Sequence, residues 1–109
     1  MDFAYRRSRD GSIVGIKNTK LNYFILFRPN GHPPRSGILL SQSLNSVLLK
    51  NARVLDVGTG ESALLAIHAI KSGAKEAIGI DIDPIAIKWA YRNTNVNGLS
   101  RKISLRRIA

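Results

Sequence analysis

Val54-Leu55-Asp56-Val57-Gly58-Thr59-Gly60-Glu61-Ser62 decides the fold of this chain, together with the later stretch Ile78-Gly79-Ile80-Asp81-Ile82-Asp83-Pro84. The first reads as a short buried strand running through glycines into a helix, the second as a buried strand ending in acid. Such a turn lets a ligand approach the backbone closely and offers it unpaired N–H groups at the positive end of the helix dipole. An acid at the end of the next strand stands beside the same crevice, where it can accept hydrogen bonds from two ribose hydroxyls. Asp81 lies twenty-three positions after Gly58, a spacing suited to that role. The two stretches together read as a nucleotide-binding βαβ unit.

Between and after them the pattern continues. The first strand, 52–57, carries apolar residues at Val54, Leu55 and Val57, which suits a parallel strand covered on both faces. Residues 62–72 predict a deeply packed helix, apolar nearly all round and closed by Gly73 in a left-handed conformation. His68 within it reads as a packed histidine. The second strand spans 76–81. Asp83 caps the next helix and Pro84 takes its first position, where a missing N–H is harmless. Ile85, Ala86, Trp89, Ala90 and Val96 are expected to face inward, with Gly98 ending the helix. Residues 102–106 alternate and predict a third strand. The order β-α-β-α-β, with right-handed crossovers, builds half of a doubly wound, Rossmann-like α/β sheet.

Ahead of this unit, residues 1–11 are polar and basic, an arm ending in the turn signal Asp10-Gly11. Residues 12–17 and 21–28 are rich in β-branched and aromatic types around Asn18-Thr19-Lys20, and predict a β-hairpin. Pro29-Asn30-Gly31-His32-Pro33-Pro34 breaks regular structure and marks the clearest boundary, with His32 as an exposed loop side chain. From Ser36 to Lys50, Leu40, Leu44, Val47 and Leu48 share one face of a single amphipathic helix, with Ser41, Asn45 and Ser46 away from it. The expected organisation is a basic arm and hairpin over 1–35 and the N-terminal half of a Rossmann-like domain over 36–109.

Bulk composition narrows the function classes. A chain of 109 residues forms one domain at most, and 44% apolar residues is ordinary for a soluble globular chain. No apolar run approaches the ~18 residues that span a bilayer, and the start lacks a secretory signal, so no membrane partner is expected. Without cysteine there is no disulfide or thiolate chemistry, and a cytoplasmic location is the default expectation. Seventeen Lys and Arg against seven Asp and Glu give a net charge of +10. Four of those acids (Asp56, Glu61, Asp81, Asp83) sit in the two opening stretches, so the remainder is more basic still. Long-range attraction to a polyanion follows, and RNA or a ribosomal surface is the expected partner.

The turn alone leaves the ligand open, since Gly58-x-Gly60-x-x-Ala63 also fits a NAD or FAD fingerprint. Asp56, two residues before the first glycine, is awkward for a pyrophosphate and suits a ligand with an ammonium group. Glu61 adds a second negative charge at the turn. With these acids, the stretch from Arg53 to Leu105 resembles the S-adenosylmethionine-binding half of class I (Rossmann-like) methyltransferases. It is most similar to the ribosomal-protein lysine methyltransferases and the small-domain methylases of RNA and release factors. The shared motifs are an acid-x-Gly-x-Gly turn (Asp56–Gly60), Gly-Ala-Lys before the second strand (Gly73–Lys75), Ile-Asp-Ile-Asp-Pro (Ile80–Pro84) and Asn-to-Asn-Gly at a helix end (Asn93–Gly98).

The resemblance implies S-adenosylmethionine as cofactor, methyl transfer to RNA or a translation-related protein, and a cofactor-binding set of Asp56, Gly58, Thr59, Gly60, Asp81 and Ile82. In it Asp56 takes the methionine ammonium, Gly58 and Gly60 pass their backbone beneath the methionine moiety, Asp81 grips the ribose and Ile82 covers the adenine. Asn93 and Asn97 are expected to be structural and Trp89 part of the core. No catalytic residue or metal ligand is assigned. The family's usual third glycine falls on Ser62, preceded here by Glu61. Its further strands, and the Asn/Asp-Pro-Pro-Tyr-like motif that receives the acceptor, do not occur between Met1 and Ala109. The expectation is a shortened chain carrying the donor side of the site, with an exposed sheet edge open to self-association. The alternative is a non-catalytic, basic RNA- or ribosome-binding module on the same half-fold.

Overall fold

The computed structural model describes residues 2–29, 31–44 and 46–108. An antiparallel meander comes first, β1 (Phe3–Arg7), β2 (Ile13–Asn18) and β3 (Tyr23–Leu26), in spatial order β1-β2-β3. The expected hairpin is β2–β3, with Ile16 opposite Ile25 and Lys17 opposite Phe24. The expected basic arm is corrected: residues 3–7 form a paired strand, starting from Phe3 opposite Asn18. Arginines obscure its alternation, yet Phe3 turns to the covered face and meets Tyr23 edge-to-face, ring centroids 6.1 Å apart. The Asp10-Gly11 turn joins β1 to β2, with Gly11 at φ 86° and the Asp10 carboxylate accepting from the Ser12 N–H at 2.9 Å.

The single helix expected from Ser36 to Lys50 is instead two short ones, α1 (Arg35–Ser41) and α2 (Ser46–Leu49). Leu40, Leu44, Val47 and Leu48, expected inward, are exposed, while Ser41 and Leu49 are buried. Serines cause the break. Ser41 Oγ donates to the Ile38 carbonyl at 2.6 Å and Ser43 Oγ to that of Leu40 at 2.7 Å, taking acceptors that a continuing helix would use. Asn45, expected on the polar side, lies outside the described residues.

The parallel unit follows: β4 (Arg53–Val57), α3 (Leu64–Lys71), β5 (Glu76–Asp81), α4 (Pro84–Val96) and β6 (Ile103–Arg107), in strand order β4-β5-β6. Register places Asp56 beside Gly79 and Gly79 beside Leu105. Helix α3 contacts β3 as well as β4 and β5, and α4 contacts β3, β5 and β6, so the helices form a middle layer between the two sheets. One core results, in which Ile16, Tyr23 and Ile25 of the meander join Leu64, Ile67, Ala77, Ile103 and Leu105. Each fully buried Leu or Ile stabilises by roughly 1.5–3 kcal/mol. His68 is packed as expected, its Nδ1 2.7 Å from the Tyr23 hydroxyl. Burial pushes the Tyr23 phenol up and the His68 imidazole down.

Two burial expectations change. The face of β4 that carries Leu55 and Val57 is open, these residues being 61% and 72% exposed. Right-handed crossovers running in one direction put both helices on the same side of the sheet. On α4 the inward residues are Ala86, Ile87, Ala90, Asn93 and Thr94, while Ile85 and Val96 are exposed. Polar groups set that stripe. Asn93 Oδ1 accepts from the Leu26 N–H (2.7 Å) and its Nδ2 donates to the Leu26 carbonyl (3.1 Å). Asn97 pairs likewise with both backbone groups of Phe24, at 2.8 and 2.6 Å. The two amides act as a surrogate strand along the free edge of β3. Trp89 is half-buried beneath the Arg92 guanidinium, 5.2 Å from the ring centroid.

Candidate functional site

The glycine turn lies between β4 and α3, and its geometry follows from three residues with positive φ: Gly58 (73°), Gly60 (69°) and Ala63 (52°). Gly58 and Thr59 both donate their N–H to the Ile80 carbonyl at 2.9 Å, and Gly60 donates to Asp81 Oδ2 at 2.9 Å. The end of β5 thus grips the turn from below. Gly79 makes this approach possible, since a Cβ there would stand 2.7 Å from Thr59 Oγ1 and 2.9 Å from Leu105 Cδ2.

Asp56 is the buried acid of the site, at 9% exposure. Its carboxylate accepts from the Thr59 hydroxyl at 2.8 Å and lies near the backbone N–H of Ala66, in the first turn of α3, which favours its charged form. Ser62 Oγ accepts from the Leu64 N–H at 3.2 Å. A carboxylate of the chain itself therefore occupies the positive end of the helix, the place an anionic ligand would take. Burial raises the Asp56 pKa; the Thr59 hydroxyl and the Ala66 N–H oppose that shift, and the Asp81 charge adds to it. Asp56 is in no ion pair among the described residues. Glu61, in contrast, is neutralised by Arg28, whose Nε stands 2.8 Å away.

A cleft of about 320 Å³ opens above the turn, lined by Asp56, Gly58, Thr59, Gly60, Glu61 and Ser62 on one side. Phe27, His32, Pro34, Gly37 and Leu40 line the other. Of the six residues expected to bind cofactor, the cleft brings together Asp56, Gly58, Thr59 and Gly60, although the Thr59 hydroxyl turns inward to Asp56. Asp81 and Ile82 stand outside its lining. Asp81 is tied to the turn through Gly60 and to the start of α4 through the Asp83 N–H (3.0 Å), while Ile82 is 67% exposed. Each oxygen of a carboxylate has two lone pairs, so Asp81 keeps acceptor capacity beyond these bonds.

Four contributors went unread in the sequence. His32 is an exposed loop side chain, as expected, but it also lines the cleft. Arg28 neutralises Glu61, and Asn93 Nδ2 reaches the Glu61 carbonyl at 3.2 Å. Gly79 carried the one available signal, since glycine inside a strand marks a close approach by another group.

Solved structures with the same arrangement define its class. A ribosomal protein L11 methylase from Lactobacillus delbrueckii subsp. bulgaricus is similar with a TM-score of 0.54 at 33% identity, over 66% of this chain and 35% of that one. TrmK of M. capricolum, solved with S-adenosylhomocysteine, is similar with a TM-score of 0.53 at 26% identity, over 59% of this chain and 29% of that one. The fold is that of the Rossmann-like methyltransferases. More narrowly, the ribosomal protein L11 methyltransferase (PrmA) family matches residues 31–108, and the chain belongs to that family. A ribosomal protein L11 methyltransferase of Escherichia coli strain 55989 is 43% identical over 97 residues, which cover 89% of this chain and 32% of that protein. The chain thus spans about a third of the length of such relatives.

Proposed function

We propose that this chain binds S-adenosylmethionine in the cleft above the glycine turn and supplies the donor side of methyl transfer to a ribosomal protein. The observation that carries the reading is Asp56: a buried carboxylate with no cation partner among the described residues, facing a cleft whose other acid is already neutralised by Arg28. Such a site favours a ligand that brings positive charge. S-adenosylmethionine carries an ammonium and a sulfonium, and its sulfonium supplies the electrophilic methyl group. Asp56 holds the ammonium, the backbone of Gly58 and Gly60 supports the methionine portion, and Asp81 and Ile82 receive the ribose and adenine beyond the turn. In-line transfer depends on holding the methyl group against a nucleophile, so the chain's task is orientation and exclusion of water.

The committed amides weigh against NAD or FAD. Gly58, Thr59, Gly60 and Leu64 already donate within the chain, which leaves a pyrophosphate few donors where it would sit. Family membership supports a ribosomal protein as acceptor, and the charge of +10 supports a partner rich in RNA, in the cytoplasm. No helix among the described residues is long and apolar enough to cross a membrane. The outer edge of β4 has no strand partner among the described residues, which supports self-association there, readable by sedimentation velocity.

Thermal unfolding with added ligands tests the cofactor. A ligand that binds the folded state raises the midpoint with its concentration. S-adenosylhomocysteine is expected to raise it and NAD to leave it unchanged; the reverse pattern refutes the reading.

A further inference from the structure

The meander turns one face to the helices and the other to solvent, and its register fixes what meets on the outer face. Ala4, Lys17 and Phe24 lie abreast across the three strands, with Arg6, Gly15 and Leu26 in the next row. The Arg6 guanidinium stands 4.9 Å from the Phe24 ring centroid and the Lys17 ammonium 5.2 Å from it. Neither cation is in a salt bridge among the described residues. Residues 2–28 carry six basic side chains against two acids, and one of these, Asp10, is engaged by Ser8 and Ser12. Asp2 is therefore the one acid of the segment not held in that turn.

Two cations gathered on one aromatic ring, on an open sheet face with no neutralising carboxylate among the described residues, match the chemistry of a nucleic acid strand. Phosphates meet the cations, and a flat base meets the aromatic ring. An acidic protein segment would satisfy the charges and gain nothing from the ring. We propose that the outer face of the meander binds single-stranded RNA, with Arg6 and Lys17 on phosphates and Phe24 as the stacking platform. The inference rests on the meander alone and stands independently of cofactor binding.

Fluorescence anisotropy of the full chain with a labelled oligouridylate, over a series of salt concentrations, tests it. Arg6→Glu/Lys17→Glu is expected to weaken binding at least about tenfold and to lower the slope of log affinity against log salt by about 1.4, two contacts at ~0.7 each. Lys50→Glu/Lys75→Glu changes the net charge equally on other exposed residues and is expected to have much the smaller effect. Phe24→Leu, which keeps apolar bulk without the ring, is expected to cost roughly fivefold or more for RNA and nothing for polyglutamate. Circular dichroism of each variant verifies that it is folded. Equal losses in the two charge reversals, or polyglutamate bound as tightly as RNA, overturn the proposal.

Discussion

Arg28 and Glu61 form an ion pair, Nε to Oε2 at 2.8 Å, that joins the segment following β3 to the glycine turn. The pair accounts for an otherwise adverse residue. Glu61 lines the cleft beside the buried Asp56, where a second negative charge would add repulsion, and Arg28 cancels it. Both side chains are partly exposed, 47% and 31%, so the coupling is small. A double-mutant cycle with Arg28→Ala and Glu61→Ala is expected to give a coupling of about 0.2–1 kcal/mol at low salt, falling towards zero near 1 M salt. Urea titrations of the four chains check this. Coupling that persists at high salt would show that the pair is not chiefly electrostatic.

Asn93 connects three segments, bonding both backbone groups of Leu26 and the Glu61 carbonyl while 1% exposed. Asn93→Ala leaves the Leu26 N–H without its partner, at a cost of about 1–3 kcal/mol for each buried group left unsatisfied. Asn93→Asp keeps the acceptor but turns a buried carboxylate toward two carbonyls, so it is expected to destabilise at least as much as alanine at neutral pH. The ranking is read from midpoints of urea unfolding.

Asp56 sets stability against binding. A carboxyl raised by burial contributes stability below the ordinary carboxylate range, and that contribution is lost as pH rises through the folded value. Above that value the ionised group opposes folding of the ligand-free chain. Asp56→Asn is expected to raise the thermal midpoint at pH 7 and to weaken S-adenosylhomocysteine binding. A lower midpoint together with unchanged affinity would remove Asp56 from its proposed role.

His68 has the opposite pH signature. Its pKa is lowered by burial against Tyr23, so its contribution is intact above the ordinary histidine value near 6.5 and is lost as pH falls. Between about pH 8 and pH 5 the unfolding free energy is expected to decline, because the unfolded chain takes up the proton more readily. His68→Gln is expected to flatten that decline, measured by urea unfolding across the pH range. An equal decline in the variant would place the sensitivity elsewhere.

Local signals made much of this molecule readable. Strand β5 and the start of α4 follow from short-range chemistry, with Asp83 accepting from the Ile85 N–H at 2.9 Å and Pro84 in the first turn. The glycine turn and Asp56 were legible because their residue types suit so few purposes. Strand β1 was hidden by arginines that point to solvent. The break between α1 and α2 depends on serine hydroxyls bonding backward, which a count of apolar positions does not register. Asn93 and Asn97 read as structural, but their partners in β3 lie 67 and 73 residues away. The far wall of the cleft was missed for the same reason. His32 and Pro34 line the cleft through the packing of α1 on α3, a contact between segments far apart in sequence.

Isothermal titration calorimetry of the folded chain with S-adenosylhomocysteine, beside Asp81→Ala, tests the central claim most directly. The account predicts saturable binding at one site, weakened at least about tenfold when Asp81 can no longer accept from the ribose, the loss expected for hydrogen bonds to a charged group. Absence of heat up to millimolar ligand, with the chain shown to be folded, would contradict it.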